Sequence, residues 1–496
     1  MRSLLPLLLL CLLCTGGRAQ NVLTWPREPA HEVSPLLYGQ FIEHLGRCVD
    51  GGLYEEGSAL SDGRGFRTDV LELVKDLETP LLRFPGGTVT KIYHWKNGIG
   101  PKSERRKRPN LIWGGNIQYH FGTAEFIEYC RAIGAEPMLI VNMATGTPEE
   151  AAEWVEYCNG TGDTYWANLR REHGYAEPFN VKYWGIGNEE SADADAGRHY
   201  TPERYVFDTW QFVKLMKLTD PTLNLTLVGD TRSRDWNEHI IRELHPVMDN
   251  LAVHFYAVPN DSTYASLLSS VYQYEPFLES LWAQARAAPP TGELSRWYRF
   301  PGRQQPLKLA VDEWGIWNMD SPKGKGAYNL EYPFNWGHAL GTAAFLNIFT
   351  RHADKISLAT WAQTVNVLAP IMTDEAGAWK QTVYLPLREY RRRMTGRYLD
   401  LGAVVPTGPA TGLDLVAVQH DARTINVAAI NLDERAAARL PLNIPPGYRL
   451  AEATTFSAPT VYAVAGRGDW PVRATAWTWD QTLPAASLTF ITLVRK

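Results

Sequence analysis

Between residues 36 and 362 the chain alternates short apolar runs with segments in which apolar residues recur at helical spacing. The apolar runs predict eight β-strands at residues 36–43, 80–86, 136–142, 181–189, 224–229, 250–256, 307–313 and 355–362. The periodic segments predict helices, among them residues 68–76, 123–133, 148–158, 202–216 and 336–351. Strands that alternate with helices in this way predict a parallel (β/α)8 TIM barrel. The alternative is a doubly wound open sheet, but no Gly-x-Gly-x-x-Gly follows the first strand to favour a dinucleotide fold.

The pattern changes after Tyr390, where helical periods stop and short β-rich runs separated by Gly, Pro and Asp begin. These runs lie at residues 413–420, 424–432, 473–479 and 487–494. They predict an antiparallel β-sandwich over residues 389–496. The catalytic barrel is then expected over residues 36–388, and residues 20–35 are expected to add a strand to the sandwich.

Residues 1–19 have the pattern of a secretion signal peptide. Arg2 precedes an apolar run, residues 4–14, that is too short to span a bilayer, and Gly17-Arg18-Ala19 resembles a cleavage site. We expect the mature protein to begin near Gln20 and to be secreted or periplasmic. The cysteines beyond this segment, Cys48, Cys130 and Cys158, are odd in number and widely spaced, which does not indicate a disulfide framework.

Composition limits the classes of partner that the protein is expected to bind. A net charge of −5 offers no electrostatic footprint for nucleic acid, and no second long apolar stretch predicts a membrane span after signal cleavage. The chain is rich in aromatic residues, with 18 Trp and 23 Tyr. Aromatic faces stack on sugar rings, but they also fill protein cores, so this count only weakly favours a carbohydrate ligand.

Two glutamates end apolar strands in the same manner. Residues 181–190 read VKYWGIGNEE and place Glu189 after the fourth predicted strand, and Val311-Asp-Glu313-Trp-Gly ends the seventh. Either residue alone is more simply read as a solvated loop carboxylate. In a parallel barrel, however, the carboxyl ends of the strands meet at one mouth, where barrel enzymes carry their chemistry.

Other polar side chains end the neighbouring strands. They are Glu43, Arg83, Asn188, His254, Tyr256 and Gln363, with tryptophans nearby. This set suits a neutral polyhydroxylated ligand. No Cys or His cluster has metal-ligand spacing, no loop has the pattern of a phosphate cradle, and no serine lies in a nucleophile elbow, so we expect neither a metal nor a cofactor.

These stretches resemble the α-L-arabinofuranosidases of glycoside hydrolase family 51. The motifs are Tyr38-Gly-Gln-Phe-Ile-Glu-His-Leu-Gly-Arg47, Leu82-Arg-Phe-Pro-Gly-Gly87, Trp184-Gly-Ile-Gly-Asn-Glu189, Val253-His-Phe-Tyr256, Asp312-Glu-Trp314 and Ala362-Gln-Thr-Val-Asn-Val-Leu-Ala-Pro-Ile371. They occur in the family's order and span nearly the whole chain beyond the signal. The resemblance implies a barrel with a β-sandwich, retention of anomeric configuration and no metal requirement.

The resemblance also implies roles. Glu189 matches the general acid/base and Glu313 the nucleophile, and these would be the catalytic pair. Asn188 would hold the sugar 2-hydroxyl, Glu43, Arg83 and Gln363 would grip the furanose, Tyr256 would lie beside the nucleophile, and Trp113 and Trp317 would be pocket walls. We place His254 with these substrate-binding residues, with a core histidine as the alternative. Thr88 stands where the family often has Asn or Cys, which leaves the fine sugar specificity open.

The expected activity is release of terminal α-L-arabinofuranosyl residues from arabinoxylan or arabinan, plant cell-wall polysaccharides. The first alternative is a family relative that cuts β-1,4-glucan, xylan or another pentofuranoside. The second, from a different class, is a catalytically silent sugar-binding protein, which the presence of both glutamates disfavours. Family resemblance further implies a homo-oligomer.

Overall fold

The computed structural model describes residues 23–191, 199, 201–288, 294, 300–317, 325–402, 412–479 and 482–496. The predicted targeting segment, residues 1–19, lies outside these ranges. Within them, Cys48, Cys130 and Cys158 are buried free thiols, in agreement with the absence of a disulfide framework. Among the helices in these ranges, none combines the length and the hydropathy that a membrane crossing needs.

Eight parallel strands close into a barrel in which each strand pairs with its neighbour in the chain and the last pairs with the first. They are β1 Gly39–Phe41, β2 Leu81–Phe84, β3 Glu136–Val141, β4 Tyr183–Ile186, β5 Asn224–Val228, β6 Asn250–Ala257, β7 Lys308–Ile316 and β8 Ile356–Ala362. The predicted TIM barrel is therefore confirmed. Strand β1 is shorter than expected because Pro35–Tyr38 forms a 3₁₀ turn, which the Ser34 side chain caps by accepting from Leu36 N–H.

Among the described residues, ten helices accompany the barrel, and several of them begin at a side-chain cap. The helices are α1 Thr68–Asp76, α2 Thr123–Ile133, α3 Pro148–Asn159, α4 Tyr165–Glu172, α5 Pro202–Thr219, α6 Arg234–Leu244, α7 Tyr264–Tyr272, α8 Tyr274–Ala285, α9 Trp336–Arg351 and α10 Tyr384–Arg393. Helices α3 and α5 share one start, a threonine cap before a proline. Thr147 and Thr201 each accept a backbone N–H three residues on, and proline needs no partner at the first helical position.

The lower part of the barrel interior is apolar. Leu81, Met138, Ile140, Ala310 and Leu358 form a buried cluster contributed by β2, β3, β7 and β8. This layer excludes water beneath the polar groups that lie at the carboxyl ends of the same strands. Charges at the mouth therefore interact across a medium of lower dielectric than water.

The C-terminal part of the chain forms an antiparallel sheet, as predicted. Its strands are β9 Gly396–Leu399, β10 Leu413–Gln419, β11 Thr424–Asn431, β12 Tyr448–Ser457, β13 Arg473–Ala476 and β14 Ser487–Arg495, in the order β9-β10-β11-β14-β12-β13. The short strand Glu32–Val33 pairs with β9 at the sheet edge. Successive residues of β10 face opposite sides, so that Val416 joins the core shared with α9 and Leu415 joins a second apolar layer.

A buried ion network joins this sheet to the barrel. Asp414 on β10 accepts from Arg351 Nη1 at 2.6 Å and from Tyr272 Oη at 2.7 Å. Arg351 also donates to Glu275, at 2.9 Å. Both partners of the Arg351–Asp414 pair are nearly inaccessible, with side-chain exposures of 9% and 1%. Removal of Asp414 would leave the buried charge of Arg351 with Glu275 as its only carboxylate partner among the described residues, and removal of a partner from a buried pair is strongly destabilising.

We predict that Asp414→Ala lowers the free energy of unfolding by up to about 3–5 kcal/mol, because the buried Arg351 guanidinium is left with Glu275 alone among the described carboxylates and the Tyr272 hydroxyl loses its acceptor. Urea titration of the variant and the parent protein measures this difference. Glu238→Ala is the control, since the Arg234–Glu238 pair lies on the surface with side-chain exposures of 75% and 45%. That control should cost less than about 1 kcal/mol, and an equal loss in both variants would contradict the role of the Asp414 network.

Candidate active site

A left-handed turn after β4 presents Glu189 at the barrel mouth. Gly187 and Glu189 have φ angles of 82° and 47°, a region that a residue other than glycine adopts only under local constraint. The constraint is visible in Glu190, which is fully buried and accepts the N–H of Asn188 at 3.4 Å. His199 Nδ1 lies 2.7 Å from the other oxygen of Glu190. Burial lowers the pKa of His199, but its contacts with Glu190 and Asp208 outweigh that effect and raise it.

A bulge in β7 brings two consecutive acidic residues to the same site. The register against β6 advances by three residues from Ala310 to Glu313 while β6 advances by two, and the register against β8 shifts in the same stretch. Regular alternation would place neighbouring side chains on opposite faces. Instead Asp312 and Glu313 both contact Arg83, through Nε at 3.5 Å and Nη1 at 2.6 Å.

Both carboxylate oxygens of Glu313 are held by hydrogen bonds. It is 5% exposed, and its second oxygen accepts from Tyr256 Oη at 2.7 Å. Arg83 in turn donates to Asn188 Oδ1 at 2.6 Å, and its guanidinium lies 4.5 Å from the centre of the Phe41 ring. Arg83 therefore holds Glu313 and Asn188 in a fixed relation to each other.

His254 lies between three carboxylates. Its Nδ1 is 2.8 Å from Glu189 Oε1 and 3.4 Å from Glu313 Oε2, and its Nε2 is 3.5 Å from Asp312 Oδ1. Burial lowers the pKa of His254, but the negative charges of Glu313, Asp312 and Glu189 outweigh burial and raise it well above its ordinary value. Burial alone would raise the pKa of Asp312, but the positive charges of Arg83 and His254 outweigh burial and lower it. These negative charges therefore favour the protonated form of His254, which can donate to the acidic groups on either side of its ring.

The two glutamates predicted to be catalytic lie close together but differ in exposure. A carboxylate oxygen of Glu189 and one of Glu313 lie within 4.8 Å of each other and of a ring nitrogen of His254. The Glu189 side chain is 33% exposed and that of Glu313 only 7%. Carboxyl groups this close resemble the pair of a retaining glycosidase, since an inverting enzyme needs room for a water between them.

The same three residues are of types that ligate metals, and the part of the chain that the structure describes contains one such group. A protonated imidazole has no lone pair left on the nitrogen that faces the carboxylates. A metal ion would therefore have to displace the proton of His254 before this group could bind it.

A second group surrounds Glu43, which follows β1. Its Oε1 accepts from Trp113 Nε1 at 2.9 Å and from Val89 N–H at 3.1 Å, and its Oε2 accepts from Gln363 Nε2 at 2.8 Å. Burial, together with the negative charge of Glu313, raises the pKa of Glu43 to about 7. Glu43 is consequently a carboxyl group that carries a proton for part of the time at neutral pH.

Several polar atoms of the site are buried without a protein partner among the described residues. They are Asn188 Nδ2, Gln363 Oε1 and Trp317 Nε1. Buried polar atoms in native proteins almost always form hydrogen bonds. All three belong to residues predicted to bind the sugar, and together they offer two donors and an acceptor to its hydroxyl groups.

A cavity of about 280 Å³ opens beside these groups. Asn188, Glu189, His254, Tyr256 and Asp312 line it, with Gly229 to Arg232 of the loop after β5 on the other side. Trp317 packs edge-on against Tyr256, with ring centroids 5.3 Å apart. The two predicted pocket walls therefore lie in different parts of the site. Trp317 contacts Tyr256, whereas Trp113 contacts Glu43.

Thr88 begins a 3₁₀ turn, Thr88–Ile92, just after β2 and is 7% exposed. The preceding Gly87 lies against the candidate nucleophile, since a Cβ at this position would be 2.8 Å from Glu313 Oε1. Thr88 is therefore next in the chain to the residue that lies against Glu313, and among the described residues its hydroxyl has no hydrogen bond.

All the predicted site residues lie at the barrel mouth. Glu189, Glu313, Asn188, Arg83, His254 and Tyr256 form one connected network, and Glu43, Gln363 and Trp113 form the second. Asp312 and Phe41 were missed. Asp312 lies beside Glu313 in a quoted motif, so a polar residue in an otherwise apolar strand end was the available signal.

Comparison with known proteins agrees with this geometry. A model described as alpha-L-arabinofuranosidase 1 domain matches residues 73–275, and one described as alpha-L-arabinofuranosidase C-terminal domain matches residues 312–481. The chain is 35% identical to the probable alpha-L-arabinofuranosidase C of Aspergillus niger, over 95% of this chain and 97% of that protein. It belongs to the α-L-arabinofuranosidase family.

Solved structures place it within glycoside hydrolase family 51. The GH51 alpha-L-arabinofuranosidase from Thermotoga petrophila RKU-1 superposes with a TM-score of 0.83 at 33% identity, over 94% of this chain and 98% of that chain. An intracellular exo-alpha-(1->5)-L-arabinofuranosidase of Halalkalibacterium halodurans is 33% identical, with 81% of this chain and 80% of that protein covered. The resemblance and the assignment as a glycoside hydrolase are therefore confirmed. The roles of individual residues stay predictions.

The raised pKa of Glu43 predicts a pH-dependent stability. A proton held more tightly in the folded state stabilises the protein fully below the ordinary pKa of 4.5, and this contribution is lost as the pH rises towards 7. Glu43→Gln retains a hydrogen-bonding amide but cannot ionise. We predict that the variant loses less stability than the parent between pH 4.5 and pH 8, by about 3 kcal/mol.

Urea titrations at both pH values measure this difference. Glu72→Gln is the matched control because the Glu72 side chain is 71% exposed, and it should follow the parent protein. A Glu43→Gln variant with the parent's pH dependence would show that Glu43 titrates normally.

Proposed function

We propose that the protein is an exported exo-acting α-L-arabinofuranosidase that releases terminal arabinofuranosyl residues from arabinoxylan or arabinan by double displacement. The observation that carries this proposal is the close pair of glutamates, one buried and one partly exposed, with carboxylate oxygens within 4.8 Å. The H. halodurans relative is named as an exo-acting enzyme on α-(1->5) linkages, which supports exo action on arabinofuranosides here as well.

In the first step, Glu313 attacks the anomeric carbon while protonated Glu189 gives its proton to the departing glycosidic oxygen. A glycosyl ester of Glu313 forms and the glycosidic bond breaks. Arg83 and Tyr256 donate hydrogen bonds to the two oxygens of Glu313, at 2.6 Å and 2.7 Å, and so fix its rotamer. The exposure of Glu189 suits an acid that must reach an oxygen shared with the leaving group.

In the second step, Glu189 as a carboxylate takes a proton from water, and that water attacks the anomeric carbon. The ester breaks, arabinose leaves with its original configuration, and both glutamates return to their starting states. His254 contacts both carboxylates and so stabilises whichever one carries the charge. Asn188 Nδ2, buried and free of protein partners among the described residues, is positioned to donate to the sugar 2-hydroxyl.

Export is proposed on the pattern of residues 1–19 alone. The relative from H. halodurans is named as intracellular, so location varies within the family. N-terminal sequencing of protein recovered from the medium or the periplasm tests the proposal. A mature terminus near Gln20 is expected, and an intact Met1 in the cytoplasm would overturn it.

A panel of nitrophenyl glycosides tests the activity itself. We expect the α-L-arabinofuranoside to be hydrolysed at least about 100-fold faster than the β-D-xyloside, β-D-glucoside or β-D-galactofuranoside. NMR of the reaction at early times should detect the α-anomer of arabinose first. Preference for another glycoside would favour the relative that cuts glucan, xylan or another pentofuranoside, and no hydrolysis would favour a binding protein.

Two variants separate the roles of the glutamates. We predict that Glu189→Ala retains activity only on substrates with good leaving groups, and that azide rescues it with formation of the α-glycosyl azide, because the ester still forms. Glu313→Ala should give the β-azide instead, because azide then occupies the place of the nucleophile. NMR of the azide products distinguishes the two. The same anomer from both variants would contradict the assignment.

Thr88 bears on sugar specificity. A buried hydroxyl forms fewer hydrogen bonds than an amide, and a half-satisfied sugar hydroxyl costs roughly 1–3 kcal/mol. We predict that Thr88→Asn changes the ratio of kcat/KM between the α-L-arabinofuranoside and the β-D-xyloside by about ten- to a hundredfold.

The control for this prediction is Thr90→Val, since Thr90 Oγ1 donates to Gly86 O at 2.9 Å within the same turn. This variant should lower the melting temperature and leave the ratio unchanged. If Thr88→Asn behaves in the same way, Thr88 is a packing residue and not part of the sugar site.

A further inference from the structure

A buried carboxylate lies directly behind the turn that carries Glu189. The Glu190 side chain is fully buried, and its Oε1 accepts the N–H of Asn188 at 3.4 Å. The same oxygen would lie 2.8 Å from a Cβ at Gly187, so the carboxylate packs against the left-handed backbone just before Glu189. A carboxylate in this position is costly to bury unless its charge is balanced. A group that holds Glu190 in place therefore also holds the turn from which Glu189 projects.

His199 supplies the balancing charge. Its Nδ1 lies 2.7 Å from Glu190 Oε2, and its backbone N–H donates to Glu190 O at 3.2 Å. Its Nε2 lies 3.2 Å from Asp208 Oδ2, which also accepts from Arg204 Nε at 2.8 Å. An ionised carboxylate only accepts hydrogen bonds, so a ring between two carboxylates must donate from both nitrogens, as an imidazolium does. The His199 side chain is 6% exposed, so little water competes for these contacts.

The far end of this arrangement rests on a helix that is fixed to the barrel. Asp208 belongs to α5, and Tyr205, one turn earlier on that helix, is fully buried. The Tyr205 hydroxyl donates to Ile186 O, at the end of β4, at 2.9 Å and accepts from Val228 N–H, at the end of β5, at 2.8 Å. The Tyr205 ring also meets the His199 ring edge-on, with centroids 5.6 Å apart. The helix therefore gives His199 a rigid support.

A general acid must present its proton within hydrogen-bond reach of the glycosidic oxygen, and a displacement of about 1 Å can cost roughly a hundredfold in rate. We propose that His199 is a positioning residue that acts through Glu190 to hold the acid/base Glu189 in place. Glu313 and the Asn188 side chain are held separately, each by Arg83 at 2.6 Å. This inference rests on the proposed function and deepens it, because it assigns His199 to the proton-transfer step.

The test compares two leaving groups, because protonation by Glu189 matters only when the leaving group is poor. Methyl α-L-arabinofuranoside has a poor leaving group, whereas 2,4-dinitrophenolate departs from its arabinofuranoside without a proton. We expect His199→Ala to lower kcat/KM about 10- to 100-fold for the methyl glycoside, mainly through kcat. For the dinitrophenyl glycoside we expect a decrease of less than about threefold, since formation of the Glu313 ester needs no acid there.

Glu190→Gln is a second variant that keeps the shape of the buried side chain. Its single amide oxygen cannot accept both from Asn188 N–H and from His199 Nδ1, so we expect the same dependence on the leaving group. It decides the test if His199→Ala does not fold. His239→Gln is the matched control, because His239 forms a 3.7 Å ion pair with Glu203 at the start of α5. This control should match the parent protein on both substrates.

The outcomes separate this inference from the function on which it rests. Failure of the parent protein to hydrolyse either arabinofuranoside would overturn the proposed function. Equal losses on both substrates in Glu189→Ala would overturn the assignment of the acid/base. If both of these hold, then equal losses on the two substrates in His199→Ala and Glu190→Gln, or no loss on either, would overturn the positioning role of His199.

Discussion

Repulsion between two carboxylates, Glu189 and Glu313, is the constraint around which the site is built. Their oxygens lie within 4.8 Å of each other, and at this separation two negative charges oppose each other by several kcal/mol in a partly desolvated site. Arg83 and His254 supply the opposing charge. Arg83 in turn needs Asp312, Asn188 and the Phe41 ring, because a buried guanidinium without partners is itself costly. Each of the two carboxylates is thus tolerated only within a larger network whose positive groups balance its charge.

Backbone irregularities make this network possible. A regular β7 would point Asp312 away from Glu313, and the bulge at residues 311–313 lets both face Arg83. The left-handed turn after β4 does the same for Glu189, and Glu190 beneath it stabilises that turn through the Asn188 N–H. Local strain at these two strand ends is offset by the regular barrel and by the apolar layer below the site.

The sequence pattern was sufficient for the barrel, the C-terminal sheet and the positions of the two glutamates after β4 and within β7, because strand ends carry strong local signals. It could not place Asp312, since period-two alternation excludes it from the face of Glu313. The basic composition of residues 102–108 is typical of a solvated loop, but the side chain of Arg105 within it is only 5% exposed and pairs with Glu125 at 2.9 Å. The partner lies in another segment, and composition does not reveal such pairings.

The two glutamates differ in their surroundings as their proposed roles require. Glu313 accepts hydrogen bonds from both Arg83 and Tyr256 and is almost inaccessible, so it suits a nucleophile whose oxygen must be held in one position. Glu189 has His254 as its close cationic neighbour, is one-third exposed, and so suits a group that exchanges a proton with a leaving group and with water. On the other side of the site, Glu43 has its own partners, Trp113 and Gln363, and takes no part in this division. The surroundings of the two glutamates, and not their residue type, therefore separate the two proposed roles.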